Sequence, residues 1–150
     1  MTKKDFPRAF NDLKRRVGEK RTIGRMLMAY GIGRGSDERM LKSFLKRLEL
    51  GTPTIAPSEA LAEEVLATVI WKELAHNSAL MEESEARRLA KEFISLFDHG
   101  PRTFLTNTSE APYTDPTSWG WNGITSGTFD TGLLVYDNVC IGILWFEDED

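Results

Sequence analysis

Cysteine is almost absent from this chain. The single Cys140 has no partner for an intramolecular disulfide, so a reducing, intracellular setting is the expectation. Histidine is nearly as scarce. His76 and His99 fall near the ends of different predicted helices, and no His or Cys pair has ligand spacing, so neither a metal centre nor a cofactor is expected. Long apolar runs are missing as well. The longest, Val139 to Phe146, is broken by Gly142 and is far too short to span a bilayer, so no membrane association is expected. The opening Met-Thr-Lys-Lys-Asp-Phe-Pro-Arg has basic residues but no apolar stretch behind them. A secretory leader is therefore not expected, and the expected location is cytoplasmic. There is no internal repeat and no low-complexity tract.

What is present suits a globular domain. The 150 residues are 41% hydrophobic and 28% charged, enough for one domain with its own core. The net charge of −4 conceals an asymmetry. Residues 1–50 carry 14 basic against 6 acidic side chains, a net of +8, and the remaining hundred carry 5 against 17, a net of −12. From Gly100 onward Arg102 is the only cation, against eight Asp and Glu. Such halves mean either two partners or two regions of one fold that attract each other.

Taken in order, Asp5-Phe6-Pro7 reads as a helix start, and Phe6, Phe10, Leu13 and Val17 follow at helical spacing up to Gly18. A second, short helix is predicted over Thr22 to Tyr30, with Ile23, Leu27 and Tyr30 as its apolar stripe. Three glycines within residues 31–35 break it. Ser36 then caps a helix that buries Met40, Leu41, Phe44, Leu45 and Leu48 and exposes Arg39, Lys42, Lys46 and Arg47. After the proline-bearing connector 52–57, Ser58 caps a central core helix through Leu61, Val65, Leu66, Val69, Ile70 and Leu74. A last helix from about Ser84 stops at His99-Gly100-Pro101.

Beyond Gly100 the texture turns to strand and loop. Residues 103–106 suit a short strand, and residues 107–118 read as an ordered loop. Residues 128–146 hold two β-branched and aromatic runs separated by Asp137-Asn138, a hairpin pattern in residues tolerant of positive φ. Its second run is apolar on both faces, which predicts an interior strand, and it ends at Glu147-Asp148-Glu149-Asp150. The expected fold is α+β: about five helices in an N-terminal bundle packed on a small C-terminal antiparallel sheet. One domain is expected over residues 1–150. Within it, residues 1–51 form a basic helical segment, residues 58–99 a helical core and residues 100–150 an acidic β segment.

Three constellations bear on function. Asp115, Asp130, Asp137, Glu147, Asp148, Glu149 and Asp150 accompany Trp119, Trp121 and Tyr136. Aromatic anchors in a carboxylate field suit a basic protein partner such as a toxin or nuclease, which an immunity protein, antitoxin or other small inhibitor would neutralise. Alternatively, residues 21–47 read as a helix-turn-helix-like segment whose Arg21, Arg25, Arg34, Arg39, Lys42 and Lys46 would meet nucleic acid. Finally, Asp130-Thr131-Gly132 within Thr-Phe-Asp-Thr-Gly-Leu-Leu-Val resembles the catalytic loop of aspartic proteases. In that family such a carboxylate pairs with a twin across a dimer or pseudo-dimer. The match covers three to five residues, and the preceding helices and the early Ile141-Gly142 depart from the family's pattern. The resemblance implies hydrolysis at Asp130. The residues alone read as the entry to a hairpin, and the leading expectation is a non-enzymatic interaction protein.

Overall fold

The computed structural model describes residues 2, 4–33, 38–111 and 120–149. Its elements run α1 (Asp5–Lys20), β1 (Arg25–Ile32), α2 (Glu38–Arg47), α3 (Glu59–Trp71), α4 (Glu83–Ser95), β2 (Thr103–Leu105), β3 (Phe129–Tyr136) and β4 (Cys140–Asp148). The α+β class stands, with four helices among the described residues rather than about five. The strands form one antiparallel sheet in the order β1-β4-β3-β2, so β4 lies inside it. Both faces of β4 are buried, as its two-sided apolar sequence demands.

Alternation along β4 divides the interior in two. Cys140, Leu144 and Phe146 join Leu133, Val135 and Met28 on one face, under α1, α3 and α4. Ile141, Ile143 and Trp145 join Leu134 on the other, against Phe44 and Leu45 of α2. Val139, in the turn before β4, packs against the first cluster. Within that cluster Phe6, Phe10, Tyr30, Phe93 and Phe97 form a chain of edge-on and tilted rings 4.9 to 6.3 Å apart, aromatic geometries that add to area burial. Gly142 makes room for them, since a Cβ there would lie 2.6 Å from the Phe97 ring.

α1 and α3 arise as their sequences suggest. Phe6, Phe10, Leu13 and Val17 are the buried face of α1, although it continues through Gly18 to Lys20. Asp5 lies within the first turn of that helix rather than capping it, and its carboxylate accepts a hydrogen bond from Thr2 Oγ1. Ser58 caps α3 by accepting from the Leu61 amide. Helix α2 closes in a Schellman motif: the amides of Leu50 and Glu49 donate to the Leu45 and Lys46 carbonyls, with Glu49 at φ 58°.

Two expectations are corrected. The helix predicted over residues 22–30 is replaced by β1, fully paired with β4 from Arg25↔Glu147 to Ile32↔Cys140. Ile23, Leu27 and Tyr30 share a helical stripe, but Met26, Met28 and Tyr30 also alternate with Leu27 and Ala29. Once β4 offers an open edge, the period of two prevails. The helix-turn-helix-like segment is accordingly a strand followed by a helix. In the β3–β4 hairpin the loop is Asn138-Val139, one residue later than expected, and neither residue has positive φ. Asp137 is the cause. Its Oδ1 accepts from the Val139 and Cys140 amides while its own amide donates to the Cys140 carbonyl, a side-chain-closed turn that needs no left-handed residue.

The charge halves meet in places. Arg16 of α1 bonds Glu92 at 2.6 Å, Lys20 approaches Glu85 at 3.9 Å, and Arg21 pairs with Asp148. No helix among the described residues is long and apolar enough to cross a membrane.

Candidate functional site

The residues expected to form an acidic face divide between interior and surface. Asp130, Asp137 and Asp148 are buried, each inside a cage of donors. Asp130 Oδ1 accepts from Asn107 Nδ2 (2.9 Å), the Ile124 amide (3.1 Å) and Trp145 Nε1 (3.2 Å). Its Oδ2 accepts from the amide and hydroxyl of Thr125 at 3.0 and 2.7 Å. Asn107 also bonds the Asp130 and Asn122 carbonyls and receives the Thr131 hydroxyl, so the node fixes the approach to β3. Gly132 completes this arrangement, because a Cβ there would lie 2.2 Å from the Leu144 carbonyl oxygen. Asp-Thr-Gly thus has a packing and hydrogen-bonding cause at every position. A carboxylate sealed from solvent by five donors has no lone pair free to activate water.

Asp148 meets Arg21 in a two-pronged pair, Nη1 to Oδ1 at 3.0 Å and Nη2 to Oδ2 at 2.7 Å, with both side chains buried. The Leu74 amide donates to Oδ2 at 2.6 Å. The remaining guanidinium protons reach the carbonyls of Val69, Ile23 and Lys72, and the ring of Phe146 lies 4.1 Å beneath the guanidinium carbon. Arg21 is therefore a brace between α1, the end of α3 and β4, and its charge does not reach the surface.

What stays outside is smaller and better defined. Ile23, 53% exposed, is the most exposed of the large apolar side chains in the described residues. It shares a cleft with Gly24, Arg25, Glu73, Glu147, Asp148 and Glu149 at the end of the sheet where β1 begins and β4 stops. Glu147 also lines a neighbouring cleft with Arg25, Leu27, Glu49 and Thr125. Glu147 stands opposite Arg25 in the β1–β4 register. Thr128 donates its hydroxyl and amide to Glu149, which holds that carboxyl below its usual range. Glu73 is buried at the cleft wall, its carboxylate closing the turn onto the amides of Ala75, His76 and Ser78.

Of the expected aromatic anchors, Trp121 is half-buried against Phe129 at 5.3 Å, and Tyr136 is half-buried against the α2-side core. Asp115, Trp119 and Asp150 lie outside the described residues, as does Arg34. In the basic set, Arg21 is internal and Arg25 belongs to the acidic cleft. Arg39, Lys42 and Lys46 are exposed along one ridge of α2, at helical positions three and seven residues apart. No carboxylate among the described residues pairs with them. Next to that ridge, Arg47 donates to the Tyr30 carbonyl at 3.1 Å and covers Phe44.

Sequence reasoning misses Ile23, Glu49 and Glu73. Ile23 falls on the apolar stripe of the predicted helix, and the other two come to the clefts from the segments after α2 and α3, Glu73 beside Leu74, whose amide donates to Asp148. No family model matches the chain, and neither the curated proteins nor the solved structures contain a match to it.

Proposed function

We propose that the chain is a non-enzymatic interaction protein that docks a basic protein partner on the acidic end of its sheet, as a small inhibitor or immunity protein does. The observation carrying this reading is the exposed Ile23 ringed by carboxylates. With Asp148 cancelled by Arg21, the two adjoining clefts hold Glu49, Glu73, Glu147 and Glu149 against Arg25. An exposed apolar side chain inside a predominantly acidic field has the anatomy of an interface centre with a steering rim. A cationic partner gains charge complementarity while covering Ile23. The acidic surface is therefore narrower than the run of C-terminal carboxylates implies.

The test compares tagged wild-type protein with E49Q/E147Q/E149Q and with I23N in pull-downs from nuclease-treated native lysate. Recovery is read at low and moderate salt, and circular dichroism confirms folding. A stoichiometric basic protein retained by wild type and lost from both folded variants is expected. Equal recovery by the triple variant, or no basic protein on wild-type beads, overturns the proposal.

The α2 ridge favours a second reading, nucleic-acid binding through Arg39, Lys42 and Lys46. Lys42→Ala and Lys46→Ala should each lower the slope of log affinity against log salt by about 0.9 for duplex DNA, one phosphate contact apiece. An unchanged slope, or no salt-dependent binding by wild type to DNA or RNA, removes this reading.

A further inference from the structure

The turn that Asp137 closes gathers a second group of side chains on the opposite strand end of the sheet from the acidic cleft. His99, Asp137 and Cys140 each bring one donor atom to a common point, all within 4.8 Å of one another. His99 Nδ1 is buried and makes no hydrogen bond, the one such side-chain nitrogen or oxygen among the described residues. A buried polar atom left unmatched is destabilising, so its orientation toward two carboxylates calls for an occupant. Asp98 Oδ1 and Asp137 Oδ2 both stand 3.4 Å from it.

We propose that His99 Nδ1, Asp137 Oδ2 and Cys140 Sγ bind a thiophilic divalent transition metal of the zinc class. The donor set selects the ion. Imidazole nitrogen and thiolate sulfur suit zinc and its neighbours and disfavour magnesium and calcium, which prefer oxygen alone. Two anionic ligands balance the dication in a buried setting. Binding requires Cys140 as thiolate and His99 neutral, with its proton on Nε2, so the thiol proton leaves to solvent. The fourth position faces the side where the imidazole is 20% exposed and the Asp98 side chain 36%, open to water or to the Asp98 carboxylate.

The scaffold is ordered before any ion arrives. The His99 amide donates to Asp137 Oδ2 at 2.9 Å, and its carbonyl accepts from the Asn138 amide at 3.0 Å. Asp137 Oδ1 is held by the Val139 and Cys140 amides, leaving Oδ2 as the ligating oxygen. Gly100, at φ +93°, lets the chain turn beside the hairpin, where a Cβ would lie 2.4 Å from Asn138 Nδ2. These bonds orient the ligands as outer-shell partners do in metal sites. Metal–ligand bonds of about 2.0–2.3 Å then require only a contraction of the donor atoms. The sequence hides the site because His99 lies 38 residues from Asp137; an Asp-x-x-Cys turn is its only local trace.

The experiment uses tag-free full-length protein stripped with chelator. Cobalt(II) is titrated in while thiolate-to-cobalt charge-transfer absorption is recorded, and zinc(II) is then added to displace it. One equivalent of cobalt with that band, bleached by zinc, is expected. H99Q should weaken binding at least tenfold, with circular dichroism confirming that the metal-free variant is folded. C140S should abolish the band. Absence of a one-equivalent band in wild type overturns the proposal, and so does a band that survives H99Q at full affinity. Wild-type and H99Q titrations decide the matter even if C140S fails to fold.

Discussion

Replacing Asp148 by Asn should destabilise the protein by about 3–5 kcal/mol, because it leaves the Arg21 guanidinium charged, buried and unpaired. Arg21 is 0% exposed and Asp148 1%, so water cannot take over as the partner. The amide of Asn would still supply one oxygen, but its NH₂ group would face either a guanidinium N–H or the Leu74 amide. Arg21→Met should cost a similar amount for the converse reason. It strands the Asp148 carboxylate and releases the Val69, Ile23 and Lys72 carbonyls. For a chain of this length the melting temperature should fall by roughly 10 °C or more in either single variant. The double variant should be less destabilised than the two single costs added, since it contains neither lone charge. Additive losses under about 1 kcal/mol in urea titrations would show that the brace is dispensable.

The consequence reaches function. The brace sets the rim on which Ile23 and Glu147 sit, since Arg21 holds the Ile23 carbonyl at 2.6 Å and Asp148 directly follows Glu147. A partner-binding defect in an Arg21 or Asp148 variant therefore reports on folding, whereas I23N and the Gln variants report on the surface.

The regions of this fold legible in the sequence are those decided locally. Phe6, Phe10, Leu13 and Val17 mark a helix whatever lies beside it, and Ser58 caps one by its own hydroxyl. The two-sided apolar run after Asp137 announces a buried strand. Segment 25–32 resists because its apolar residues satisfy both periods, and only an edge of β4, far along the chain, selects the strand. The fate of the carboxylates is hidden for the same reason. The donors that internalise Asp130 come from residues 107, 124, 125 and 145, and the cation that neutralises Asp148 comes from residue 21. In the sequence these aspartates look the same as the exposed Glu149. The basic half reads similarly: Arg16, Lys20 and Arg21 pair with carboxylates, while Arg39, Lys42 and Lys46 pair with none among the described residues.

Asp130 supplies the other large effect, and two substitutions separate its roles. Asp130→Ala should cost about 3–5 kcal/mol. It leaves the Trp145 indole and the Ile124 and Thr125 backbone N–H groups without an acceptor, each worth roughly 1–3 kcal/mol but not additive, while Asn107 keeps the Asp130 and Asn122 carbonyls. Asp130→Asn should cost less, about 1–2 kcal/mol. Its oxygen can serve the three donors now on Oδ1, and the Thr125 hydroxyl can turn to accept from the new NH₂, so only the Thr125 amide is left facing a donor. A saturated structural node thus predicts a graded loss, Ala well beyond Asn, read by chemical denaturation. An acid–base carboxylate predicts the opposite pattern, with Asn harmless or stabilising and any hydrolytic activity abolished. If Asn proves as stable as wild type, the donor cage around Asp130 is not holding the approach to β3, and the protease resemblance regains its force.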